Sequence, residues 1–125
     1  MVLSVGTDIV DIERIEGALA RSGALFAERI LTPSELSEWH RRNSTPAFLA
    51  RRFAAKEAIA KALGTGIGHG VSFQDMVIDN DDRGAPIATL LGGAAEALSA
   101  RGASRVLVRL SDEQRYAIAY AVAIA

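Results

Sequence analysis

The chain has 125 residues, 50% of them hydrophobic and 23% charged, with a formal net charge of −1. That length and balance predict one folded domain over residues 1–125 and exclude intrinsic disorder, which needs low hydrophobicity and high net charge. Cysteine is absent, which excludes disulfides, thiol nucleophiles and thiolate metal sites. The near-neutral balance gives no overall pull toward nucleic acid or an anionic membrane.

Val2 to Ile9 mixes β-branched residues with Gly6 and Asp8 and predicts a short strand ending near Gly6–Asp8. A helix follows, with Ile12, Ile15 and Leu19 on one stripe, Asp11 as its cap and Gly23 as its stop. Leu25–Leu31 reads as a second short helix. Thr32-Pro33-Ser34-Glu35 then has the arrangement of a capping box with proline at the first helical position. Asn43-Ser44-Thr45-Pro46 breaks that helix, and a longer one runs from about 46 to 63, with Phe48, Ala55, Ile59 and Leu63 on one side. Gly64, Gly66, Gly68 and Gly70 end it.

In the second half, Val71–Ile78 suits a strand, Asp79 to Gly84 a tight turn, and Pro86–Leu90 the returning strand. Ala94 and Leu98 favour a helix ending near Gly102. Val106–Leu110 and Tyr116–Ile124 read as two final strands, although the alanines of the last also suit a helix. The sum is one α+β unit. The acidic opening segment lacks the pattern of a signal peptide, and the apolar stretch 117–125 is less than half of the ~20 residues of a membrane span. A soluble, cytoplasmic protein is expected.

Two segments carry chemistry. Asp8, at the end of the first strand, can hold a hard cation such as Mg²⁺ if a second carboxylate or a phosphate joins it; a plain helix cap is the rival use. In RRFAAKEAIAKALGTG, Phe53, Glu57 and Lys61 share one helix face, with Arg52 and Lys56 on the adjacent row. One carboxylate among several cations suits a metal-bridged phosphate: Glu57 on the cation, Lys56 and Lys61 on phosphate oxygens. The same spacing also suits a solvated face with a Glu57–Lys61 pair. The glycines at 64–70 match no phosphate-loop fingerprint, and His69 reads as a surface imidazole.

Gly6-Thr7-Asp8-Ile9-Val10-Asp11-Ile12-Glu13-Arg14 resembles the amino-terminal motif of bacterial holo-[acyl-carrier-protein] synthases. Phe53-Ala54-Ala55-Lys56-Glu57-Ala58, with Lys61-Ala62 and Gly64-Thr65-Gly66, is similar to their F-x-x-K-E-A…K-A…G-T-G signature. Gly70 to Asp75 and Gly84-Ala85-Pro86 fit in the same order. The resemblance implies a 4'-phosphopantetheinyl transferase fold, an antiparallel sheet packed with helices including one long central helix. It also implies transfer of the 4'-phosphopantetheine arm of coenzyme A to a serine of an apo acyl carrier protein, or of a carrier domain in a large synthase.

By that resemblance, Asp8 and Glu57 hold Mg²⁺, and Glu57 and Lys61 are the catalytic pair. Arg52, Lys56, Lys61, Gly64, Gly84, Pro86 and Arg109 contact coenzyme A, while Arg14, Arg21 and Phe26 receive the carrier. The family assembles as a homotrimer with sites between subunits. One departure stands out: near the carboxyl end the family usually reads S-h-S-H, where this chain has Arg109-Leu110-Ser111-Asp112. An acid beside a phosphate is unfavourable unless it points away or meets a cation. That departure motivates a second reading, a catalytically impaired coenzyme A-binding regulatory module.

Overall fold

The computed structural model describes all 125 residues. The elements run β1 (Val2–Asp11), α1 (Ile12–Ser22), α2 (Ala24–Ile30), α3 (Pro33–Arg41) and α4 (Pro46–Leu63), followed by a 3₁₀ turn over Phe73–Asp75. Then come β2 (Met76–Asn80), β3 (Pro86–Leu90), α5 (Gly92–Ala100), β4 (Arg105–Asp112) and β5 (Tyr116–Ile124). β5 lies between β1 and β4 in an antiparallel sheet, and β2–β3 form a separate hairpin. The expected α+β class, with an antiparallel sheet and one long helix, is what the chain forms. No helix is long and apolar enough to cross a membrane.

Helix α4 is the spine. Thr45 caps it by accepting from the Phe48 amide, Pro46 takes its first position, and Gly64 ends it in the left-handed region at φ 81°. A side chain is strained at such a φ, so glycine suits that cap. Twelve of its eighteen residues are buried, because it lies across β1 and β5 with the hairpin and the shorter helices around it. Much of the buried surface is alanine. Ala54, Ala55, Ala58 and Ala62 on the helix, and Ala117, Ala119, Ala121 and Ala123 on β5, are all fully buried. In β5 the small residues alternate inward and the large ones, Ile118 and Tyr120, point outward. This alternation makes the segment a strand.

Two expectations change. β1 does not stop near Gly6–Asp8 but continues to Asp11, pairing with β5 throughout. Gly6 is the point where β1 crosses α4: an added Cβ would be driven into the Ala58 carbonyl oxygen and come within 2.7 Å of the Ala62 amide nitrogen. Both obstacles are backbone. Gly6→Ala is therefore expected to cost about 3 kcal/mol, the upper end for overpacking, measured as a lowered urea midpoint. Likewise Val71–Ile78 is not one strand. The Asp75 carboxylate accepts from the Ser72 amide and the Asp75 amide donates to the Ser72 carbonyl. This local box closes a 3₁₀ turn, and the strand begins only at Met76.

A buried ion pair ties the helices together. The Lys56 ammonium donates to Glu35 at 2.6 Å, to the Ile30 carbonyl at 2.7 Å and to the Phe73 carbonyl at 3.0 Å. Glu35 also accepts from the Thr32 and Ile78 amides at 2.8 and 2.7 Å. The expected capping box is present, and its glutamate additionally joins α3 to α4 and β2.

Candidate functional site

The crossing at Gly6 sets Asp8 beside the last turns of α4. The Lys61 ammonium donates to the Asp8 carboxylate and to the Thr7 carbonyl, both at 3.0 Å. Glu57 lies one turn earlier on the same face. Burial pushes its carboxyl above the usual carboxylate range, and the negative charge of Asp8 adds to that rise. Lys61 and Arg14 pull it the other way. Glu57, its proton affinity raised beside a second carboxylate, and Asp8, held by Lys61, form a site that can accept a further cation. No third aspartate, glutamate or histidine joins them. A pair of carboxylates is nevertheless a donor set that suits Mg²⁺, which commonly keeps waters and takes phosphate oxygens as its other ligands.

Glu57 also opens onto a cleft of about 260 Å³ lined by Phe26, Arg29, Ile30, Phe53, Ile67 and Phe73. The aromatic rings of Phe53 and Phe73 lie 5.6 Å apart. These apolar walls desolvate Glu57, which is the first cause of its shift. Phe26 and Arg14 thus border the Glu57 site. Arg21 stands seven residues beyond Arg14 on α1, exposed and reaching back over Gly17.

A second cleft, about 230 Å³, gathers Arg52, Gly84 and Pro86 with Arg42, Arg51 and Asp112. Arg52 is 6% exposed, its guanidinium lies 4.6 Å over the Phe48 ring, and one of its amino groups donates to Asn80 at 3.3 Å. Its Nε is buried with no partner. Burial lowers its pKa from the usual arginine value, with Glu35 opposing. An arginine held this way is poised to take an anion. Asp112 stands here as well, and it has met a cation: Arg51 donates to it at 3.1 Å.

Three residues expected at coenzyme A have partners within this chain. Lys56 is wholly buried with all three hydrogens used, so it has no donor left for a phosphate and serves the packing of α2, α3 and α4. Arg109 is on the outer face of β4, opposite Tyr120, and donates to the Val108 carbonyl. By strand alternation it points away from the cleft that holds Asp112, so Arg51 is the compensating charge within this chain. Gly64 is covered by Arg101, which donates to the Leu63 carbonyl at 2.9 Å and closes the helix end.

Sequence reasoning did not place Arg42 and Arg51 at the second cleft, or Arg29 and Phe73 around Glu57. Phe53 was legible from its i, i+4 relation to Glu57. Phe73 and Arg29 reach the site only through tertiary folding.

A sequence profile of the 4'-phosphopantetheinyl transferase superfamily matches residues 4–121. A holo-[acyl-carrier-protein] synthase of Photobacterium profundum is 53% identical over 118 residues, covering 94% of each chain. Among solved structures, the synthase of Neisseria meningitidis superposes with a TM-score of 0.93 at 42% identity and full coverage of both chains. That of Helicobacter pylori, solved in complex with coenzyme A, gives 0.83 at 35% identity, covering 95% of this chain and 98% of that one. In sequence and in fold, the chain belongs to the holo-[acyl-carrier-protein] synthases of the 4'-phosphopantetheinyl transferase superfamily.

Proposed function

We propose that the chain is a cytoplasmic, magnesium-dependent phosphopantetheinyl transferase. It moves the 4'-phosphopantetheine arm of coenzyme A to a serine hydroxyl on an apo acyl carrier protein or carrier domain, and it releases adenosine 3',5'-bisphosphate. The observation that carries this reading is the convergence of Asp8, Glu57 and Lys61 on one face of the β1–α4 crossing.

Asp8 and Glu57 would hold Mg²⁺, which supplies charge stabilisation on the pyrophosphate when bound. The serine oxygen forms a bond to the β-phosphorus, and the bond from that phosphorus to the bridging oxygen of the adenosine side breaks. Lys61 offsets the negative charge that gathers on the departing phosphate. Glu57, whose proton affinity is raised, takes the serine proton directly or through a water. Arg52 and the Gly84–Pro86 turn hold the adenosine end. Arg14, Arg21 and Phe26 receive the acidic helix of the carrier beside Glu57.

Val5, Ile9, Leu107, Tyr116, Ile118 and Tyr120 form an outer sheet face on which each is 42–61% exposed. An apolar surface of that kind supports burial against further copies of the chain. Arg52 and Glu57 also differ by about 140° in helical phase, so one chain presents the two ends of the site on different faces of α4. Both observations favour a trimer with sites between subunits.

The test is intact-mass analysis of an apo carrier incubated with the protein, coenzyme A and Mg²⁺. The expected result is a gain of one phosphopantetheine arm, abolished by chelator. Light scattering on the same sample should read three chains per particle. No gain on either a free carrier or an excised carrier domain overturns the reading.

A further inference from the structure

In the cleft between α4 and the β2–β3 turn, three guanidiniums face one carboxylate. Arg52 leaves its buried Nε without a partner, while Arg42 is engaged by Glu38 at 2.7 Å. Arg51 is engaged by Asp112. The cleft is thus built for an anion, yet two of its cations are already matched from within the chain, and Arg51 is matched by a carboxylate of the cleft itself. The Asp112 side chain is 37% exposed and that of Arg51 24%, so the pair sits at the mouth, where a ligand can separate it. An exposed pair of this kind holds weakly.

We propose that Asp112 is a selectivity-determining residue that weakens this cleft's hold on the 3'-phosphate of adenosine 3',5'-bisphosphate. This rests on the transferase reading, which puts the adenosine end of coenzyme A in the cleft. A 3'-phosphate entering there must take Arg51 from Asp112 and then bear the repulsion of the released carboxylate. A nucleotide with a 3'-hydroxyl does neither, so its binding is indifferent to Asp112. The bisphosphate is also the product that must leave after each transfer. Since its phosphate is unchanged by the reaction, a cleft that gripped it with Arg51 free beside Arg52 would hold it longer. The carboxylate supplies an internal competitor that lets it go.

The experiment is calorimetric titration of the intact protein with adenosine 3',5'-bisphosphate and, separately, with adenosine 5'-monophosphate. It compares the parent with Asp112→Asn, which removes the charge and keeps an acceptor for Arg51. The expected result is roughly fivefold tighter binding of the bisphosphate, with the monophosphate unchanged and the gain shrinking as salt rises. Asp112→Ser should show the same selectivity, which guards against a fold-specific effect of asparagine. Equal changes for both nucleotides, or none for the bisphosphate, overturn the role of Asp112 alone. A parent protein that binds neither the bisphosphate nor coenzyme A overturns the transferase reading and this role with it.

Discussion

Glu57→Ala is expected to lower turnover roughly a thousandfold while leaving the assembly intact, because the site loses a cation ligand and the acceptor of the serine proton together. Asp8→Ala should fall nearly as far, and the two losses should not add, since both residues serve one cation. Carrier modification followed by mass, beside light scattering, reads both parts. Near-parental turnover in either variant would rule out the carboxylate pair as the working site. The pH dependence has a definite sign. Burial and Asp8 raise the Glu57 pKa above that of an ordinary glutamate, so the metal-free protein should take up this proton at a higher pH than an unperturbed carboxylate would. For stability, the folded state holds the Glu57 proton more tightly than the unfolded chain. The resulting contribution is complete below the unfolded pKa and is lost as pH rises through the folded one. Near neutrality the ionised side chain is therefore a burden, and Glu57→Gln should melt no lower than the parent while losing activity.

Lys56→Ala should be the most damaging substitution for stability among the charged residues of α4. Its removal leaves Glu35, whose side chain is 1% exposed, as an unpaired buried carboxylate, and it releases the Ile30 and Phe73 carbonyls. Breaking a buried pair from one side costs roughly 3–5 kcal/mol, whereas replacing both partners by apolar groups of similar volume is often close to neutral. Lys56→Met combined with Glu35→Leu should thus recover much of the loss in chemical denaturation. A phosphate-binding role for Lys56 predicts something different: a higher KM for coenzyme A with little change in denaturation midpoint. Ile30 and Phe73 also line the cleft beside Glu57, so a loosened Lys56 is expected to lower kcat as well as stability.

The limits of α4 were legible because its ends carry their own chemistry: Thr45-Pro46 at one end, Gly64 at the other. The same holds for α1, with Asp11 and Gly23, and for β3, which runs from Pro86 to Leu90 as expected. Asp8, Glu57 and Lys61 were legible as candidates through motif and helical spacing. What spacing does not encode is which row of α4 faces inward. Phe53, Glu57 and Lys61 stay on the open side, and Arg52 and Lys56 are taken into the protein. Lys56 reads as a surface cation in sequence because its partner, Glu35, is 21 residues away on another helix. The Arg51–Asp112 pair spans 61 residues, so the cation that meets this acid shows only in the folded chain. Gly6 looked like a strand end because glycine weakens strands; the approach of α4 is what requires it.

The alanine interface between α4 and β5 has a consequence for how such a site can change. Alanine has no side-chain rotamers to freeze, so each of these contacts forms without the conformational entropy that a leucine would lose, about 0.5–1 kcal/mol apiece. For the same reason the interface contains no alternative packing. A leucine core can absorb a shifted neighbour by moving to another rotamer, whereas methyl against backbone can only separate. Where β1 crosses α4 at Gly6, the spacing of helix and strand near Asp8 is thus set by backbone approach. Adaptation to a different carrier or a different nucleotide end is to be sought in α1, α2 and the loop after β4, where side chains have room to rearrange.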